Sequence, residues 1–127
     1  MAQTLLLITS SPHSHQGKKA LDTAKELLEK NVPVLVFFYG DGAYTANRLI
    51  WQTADVPSIP HAWCDLARQY NLKLPVCVST ALARGISDEE NAKRHGLTSE
   101  NLLTPFYLVG LSELLLQITD DTTLIQF

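Results

Sequence analysis

Short, uninterrupted apolar runs alternate with helical patterns along this chain, and this alternation restricts the fold more than any other feature. Leu5–Thr9, Val32–Tyr39, Leu74–Val78 and Leu124–Phe127 each have the length and composition of a strand. A strand that is apolar on both faces belongs inside a parallel sheet with helices on both sides. The sequence therefore predicts an α/β fold, a three-layer α/β/α sandwich whose mainly parallel sheet has about five strands.

The segments between these runs supply the helices. Apolar residues at helical spacing predict long helices over Gly17–Lys30 and His61–Tyr70. Shorter helices are predicted over Tyr44–Trp51, Thr80–Arg84, Asp88–His95 and Pro105–Ile118. A chain of 127 residues without repeats or linker-like segments suits one domain, covering 1–127.

Charge and hydropathy exclude several classes of protein. The net charge is −3 and the longest basic run is Lys18–Lys19, so we expect no direct nucleic-acid binding. The first residues have neither the basic start nor the apolar stretch of a signal peptide, and no run is long enough to span a membrane. We therefore expect a cytoplasmic protein, in which Cys64 and Cys77 are free thiols.

The carboxyl ends of parallel strands meet at one edge of a sheet, where ligands and reactive groups collect in this type of fold. Ser10–Gln16, Tyr39–Tyr44 and Cys77–Thr80 follow the first three predicted strands. We expect these three segments to lie on the same rim, and any chemistry to occur there.

Cys77 is the candidate catalytic residue. It lies where a strand enters a helix, and a helix N-terminus favours the thiolate, the form that attacks a sulfur donor. Ser79 and Thr80 follow it and offer hydroxyl donors or a helix cap. The alternative is a buried cysteine that acts as a small hydrophobic residue. Cys64 lies in the middle of a predicted helix, where packing explains it, and the two cysteines have no zinc-binding spacing.

The loop after the first strand contains His13 and His15. Two histidines at this spacing without clustered carboxylates or cysteines are expected to be solvated, so no metal or cofactor is predicted. The hydroxyls of Ser10–Gln16 also resemble a flavodoxin-like phosphate loop, although no glycine-rich phosphate motif is present. A non-enzymatic protein that binds a flavin or nucleotide there is thus an alternative function. Asp41, between two glycines, is interpreted as a turn residue.

An ordered set of segments resembles the DsrE-like sulfur-relay family, in particular its TusD branch. The likeness spans nearly the whole chain. The segments that carry it are Phe37–Asn47, Ala62-Trp63, Val76–Gly85, Phe106–Leu111 and Ile125–Phe127.

The resemblance implies a sulfurtransferase whose active cysteine is Cys77. It implies TusB- and TusC-like subunits in a heterohexamer, a TusA-like sulfur donor, a TusE-like acceptor, and a role in tRNA wobble 2-thiouridine synthesis. A DsrE-like role in sulfur oxidation is the alternative, and a structural subunit with an inert Cys77 is another. The loop with His13 and His15 departs from the small-residue, glycine-containing pattern of the TusD branch. We expect this loop to border the cysteine.

Overall fold

The computed structural model describes residues 2–127 as a five-stranded, all-parallel sheet with helices on both faces. The strand order is β4-β3-β2-β1-β5. The strands are β1 (Gln3–Ile8), β2 (Val34–Phe38), β3 (Pro75–Cys77), β4 (Tyr107–Val109) and β5 (Thr122–Gln126). The predicted α/β sandwich with a parallel sheet of about five strands is confirmed.

Five α-helices and one 3₁₀ helix connect these strands. They are α1 (His15–Glu29), the 3₁₀ helix (Gly40–Ala46), α2 (Ile59–Tyr70), α3 (Val78–Ala83), α4 (Glu89–Arg94) and α5 (Leu111–Leu115). Serine N-caps start the two long helices, since the Ser14 hydroxyl accepts the Gly17 N–H and the Ser58 hydroxyl accepts the His61 N–H. None of the helices in residues 2–127 has the length and apolar character needed to cross a bilayer.

Alternate residues of each strand face opposite layers, and the two layers differ greatly in size. Leu6, Val36 and Val76 face the main core, which α1, α2, α3 and the 3₁₀ helix cover. Leu5 and Phe37 face a second, smaller cluster. On that side of the sheet, α5 contributes the buried residue Leu114 to the smaller cluster. The helices therefore bury much more apolar surface on one face of the sheet than on the other.

Two helix predictions are wrong. Pro105–Ile118 contains β4 followed by α5, because Gly110 interrupts the helical pattern and becomes the N-cap of α5. Tyr44–Trp51 is not an α-helix. The chain instead forms the 3₁₀ helix, which overlaps the predicted segment at residues 44–46 and ends there. In this helix Gly42 lies so close to the Ile8 carbonyl that a Cβ atom would be 1.9 Å from that oxygen. Asn47 then forms an isolated bridge with Leu102, which draws the following residues away from helical geometry.

Candidate functional site

Cys77 is the last residue of β3 and the N-cap of α3, so it lies on the rim formed by the carboxyl ends of the strands. Its register partner on β4 is Val109. On the other side β3 pairs with β2 at a single position, Phe38 with Val76. Pro75 has no N–H to extend that ladder, whereas β4 pairs with β3 along all three of its residues.

The Cys77 side chain points into the smaller cluster. It packs with Leu5, Phe37 and Leu114 and is 4% exposed. It makes no capping hydrogen bond to α3, and α3 has only six residues. Cys77 thus lies at a helix N-terminus, as expected, but its side chain packs in an apolar environment and not against the hydroxyls of Ser79 and Thr80.

Thr80 connects Cys77 to the neighbouring rim segment. Its hydroxyl donates to the Cys77 carbonyl oxygen at 3.3 Å and accepts the Gly40 N–H at 3.2 Å. Gly40 has a φ of +58°, a conformation that non-glycine residues rarely adopt. The hydroxyl suggested by the sequence as a donor to the thiol thus acts on the backbone instead.

Arg84 makes a second link across the same rim. Its Nε atom donates to Asp41 at 3.1 Å, and its guanidinium also donates to the Thr80 carbonyl at 3.1 Å. The guanidinium lies 5.9 Å from the centre of the Tyr44 ring, within the range of a cation–π contact. Asp41 is therefore an ion-pair partner at the start of the 3₁₀ helix and not merely a turn residue. The sequence interpretation missed Arg84, for which only the four-residue spacing from Thr80 gave a signal.

The loop after β1 does not directly adjoin β3, because β2 lies between β1 and β3. Gly40 and Val109 are neighbours of the Cys77 segment. That the loop after β1 also borders the cysteine stays a prediction. His13 forms a hydrogen bond to Gln52 at 3.2 Å, and His15 is the exposed first residue of α1.

The Ser11 and Ser14 hydroxyls bond to backbone groups of the same loop and of the start of α1. Ser14 Oγ donates to the Ser11 carbonyl at 2.6 Å and accepts the Gly17 N–H at 3.0 Å. Ser11 Oγ accepts the His13 N–H at 3.2 Å. A Cβ atom on Gly17 would lie 2.3 Å from the Ser11 carbonyl oxygen, so the loop is folded tightly against α1. Two of the hydroxyls proposed for a phosphate, those of Ser11 and Ser14, are therefore engaged by backbone groups.

Cys64 has a different environment from Cys77. It is buried in the main core on α2, and its thiol donates to the Thr104 carbonyl at 3.8 Å. Burial raises the pKa of this thiol, Arg68 lowers it by a smaller amount, and Asp65 raises it. These contacts confirm the packing role expected from its position in a helix.

A groove of about 540 Å³ lies at the opposite edge of the sheet. It is lined by Val34, Lys73 and Tyr107 among others, where the strands begin. Its position separates it from the Cys77 rim.

Comparison with known proteins identifies the family. The model of the DsrE/DsrF-like family matches residues 2–127. The chain belongs to this family. The Sulfurtransferase TusD of Proteus mirabilis is 41% identical over 130 residues, covering 100% of both chains. The Sulfurtransferase TusD of Serratia proteamaculans is 36% identical over 129 residues, again covering both chains fully. The DsrE protein of Allochromatium vinosum is 40% identical over 111 residues, covering 86% of this chain and 85% of its own.

The fold also occurs in a solved structure. The crystal structure of the YchN protein from E. coli superposes with a TM-score of 0.76 over 100% of both chains, at 17% identity. At that identity the likeness shows the fold alone. All three relatives above are named as sulfurtransferases, and two of them match over the full length of both chains.

Proposed function

We propose that this protein is a sulfurtransferase of a cytoplasmic sulfur relay, and that Cys77 carries the sulfur as a persulfide. The observation that carries the proposal is the contrast between the two cysteines in a chain related over its full length to sulfurtransferases. Cys77 ends a strand on the reactive rim of the sheet, whereas Cys64 is held within the main core. Both are free thiols, as transfer through a cysteine requires.

The proposed reaction has two balanced steps. The Cys77 thiolate attacks the terminal sulfur of a donor persulfide, a new S–S bond forms, and the donor thiolate leaves with the electron pair of the old S–S bond. An acceptor thiolate then attacks the terminal sulfur on Cys77 in the same way, and Cys77 leaves as a thiolate. No external oxidant or reductant is needed, because sulfur at the same oxidation level passes from thiol to thiol.

The apolar cluster around Cys77 adds a requirement for access. At 4% exposure the thiol does not meet a donor freely in the folded protein. Local opening at the rim must precede attack, and the same cluster then shields the persulfide from stray thiols. A carrier needs both properties, since its persulfide must reach a partner without being discharged on the way.

The proposed partners are a TusA-like donor, a TusE-like acceptor, and TusB- and TusC-like subunits with which the chain forms a heterohexamer. We propose that the relay serves wobble 2-thiouridine synthesis in tRNA. The name TusD on relatives that match over their full length supports this assignment. The DsrE relative at 40% identity supports sulfur oxidation as the second candidate pathway.

The burial of Cys77 favours one further candidate, a structural subunit whose cysteine is inert. Intact-mass spectrometry separates the two functions. The protein is incubated with a cysteine desulfurase, cysteine and a TusA-like carrier, with the sister subunits supplied. Wild type, Cys77→Ser and Cys64→Ser are compared, the last as the matched cysteine control.

A reductant-sensitive gain of one sulfur atom in wild type and Cys64→Ser, absent in Cys77→Ser, is the expected result. No gain in wild type with reduced Cys77 would favour the structural subunit. A gain that persists in Cys77→Ser would contradict the assignment of that residue.

A further inference from the structure

One face of the sheet lacks the cover that the other has. On that face α5 buries a single residue, Leu114, against the strands. The other large apolar side chains of α5 and of the turn after it are exposed, together with one on each edge strand. We call these residues the α5 face: Leu111, Leu115, Leu116, Ile118, Leu124 and Tyr107.

The strand register shows that the sheet residues of this set share one face. Leu124 is the register partner of Leu5, and Tyr107 is the register partner of Pro75, two positions before Cys77. Leu5 and Cys77 both belong to the smaller cluster. The exposed apolar residues therefore lie at both edges of the sheet, with α5 between them. Apolar surface of this kind marks an interaction site in a water-soluble domain.

The charges around the α5 face have one dominant sign. No lysine or arginine occurs after Arg94, whereas Glu113, Asp120 and Asp121 lie on α5 or in the turn that follows it. Within residues 2–127 these three carboxylates form no ion pair, unlike the paired acidic residues on α1 and α4. A positive charge, that of Lys73, lies at the margin of the α5 face. Lys73 lines the same groove as Tyr107 and Gln117.

We propose that the α5 face docks a sister subunit of different sequence, through an apolar surface flanked by lysine or arginine. The proposal rests on the proposed function, because it specifies how this chain joins its relay assembly. A two-fold homodimer through this face is disfavoured because such a contact brings the same patch together with itself. Glu113 and Asp120 of one copy would then face the same carboxylates of the other. A basic partner surface instead neutralises them.

The test measures assembly with separately purified TusB- and TusC-like subunits by sedimentation velocity. Leu115→Ser combined with Leu124→Thr removes apolar contact from the α5 face. Both positions are mainly exposed, at 61% and 57%, so the fold should tolerate the changes. The matched control is Leu97→Ser after α4, which is 56% exposed. A charge variant, Glu113→Lys with Asp120→Lys, is compared with Glu29→Lys on α1.

We expect wild type alone to be monomeric and to bind at least one sister subunit. The apolar double variant should weaken binding by about tenfold or more, as loss of central interface contacts does, and Leu97→Ser should not. The charge variant should weaken binding and reduce its dependence on salt, whereas Glu29→Lys should do neither.

Three results would overturn the proposal. They are failure of wild type to bind either subunit, equal binding by wild type and the apolar double variant, and a wild-type homodimer that the same double variant dissociates. Cys77→Ser should assemble like wild type. Normal assembly without sulfur loading would therefore refute the carrier function and leave the docking surface intact.

Discussion

The Thr80 hydroxyl donates to the Cys77 carbonyl oxygen at 3.3 Å while it accepts the N–H of Gly40 at 3.2 Å. One side chain thus fixes the end of β3 to the segment that follows β2. The link holds the backbone of the proposed sulfur carrier without touching its thiol. Thr80 is therefore a positioning residue, and its contribution should appear in the rate of transfer more than in the fold.

Thr80→Val should slow sulfur loading of Cys77, because valine keeps the volume of threonine but removes both hydrogen bonds. We expect a loss of stability of about 1 kcal/mol, typical of a hydrogen-bonding side chain. Thr80→Ser should restore the loading rate, and Ser79→Ala, at the exposed neighbouring hydroxyl, should leave it unchanged. Time-resolved intact-mass measurements test this. Equal rates in wild type and Thr80→Val would show that the link has no bearing on transfer.

Gly42→Ala should destabilise the protein severely. A Cβ atom at this position would lie 1.9 Å from the Ile8 carbonyl oxygen, and that oxygen belongs to the backbone of a central strand. We expect a loss of roughly 3 kcal/mol or more in urea unfolding, as for overpacking that moves backbone. Gly110→Ala is the control. Its Cβ would be 3.6 Å from Ser112 Oγ, an ordinary contact, and the cost should not exceed about 1 kcal/mol.

Structural elements that depend on a local sequence pattern could be predicted for this protein, whereas those that depend on contacts between distant residues could not. The strands ending at Ile8, Phe38 and Cys77 are predictable because continuous apolar runs report burial on both faces. The strand Tyr107–Val109 was missed because its three residues also fit the helical spacing of the leucines after it. Only tertiary pairing with β3 makes this segment a strand.

The candidate site was predictable in part for the same reason. Cys77 could be identified from its place after a strand, and the rim position follows from the parallel topology. The side of the sheet that its thiol faces depends on strand register, which no local pattern specifies. The link from Asp41 to Arg84 joins residues 43 positions apart, so it too depends on the tertiary fold.

Cys64 should make the stability of the protein depend on pH in the alkaline range. Burial raises the pKa of its thiol above the ordinary value of 9.0. Its contribution is therefore fully present below pH 9.0 and is lost as the pH rises through the raised pKa of the folded state. Urea unfolding of wild type and Cys64→Ala across this range tests the sign. The two proteins have all their other titrating groups in common. The free energy of unfolding of wild type should therefore fall relative to that of Cys64→Ala above pH 9.0. A difference between the two proteins that stays constant with pH would refute the prediction.

Tyr107 reports how closely α5 is held to the sheet. Burial raises the pKa of its hydroxyl above 10.0, and the negative charge of Glu113 on α5 raises it further. Glu113→Gln removes only the second cause, so the pKa of Tyr107 should fall while staying above 10.0. The absorbance of the phenolate, taken as the difference between proteins with Tyr107 and with Tyr107→Phe, gives the titration.

Asp120→Asn serves as the control for that titration, because it removes a nearby acidic residue that is not among the causes of the Tyr107 shift. It should leave the pKa of Tyr107 unchanged. If Glu113→Gln also left it unchanged, α5 would spend most of its time away from β4. The apolar residues of the α5 face would then not form one continuous surface for a partner.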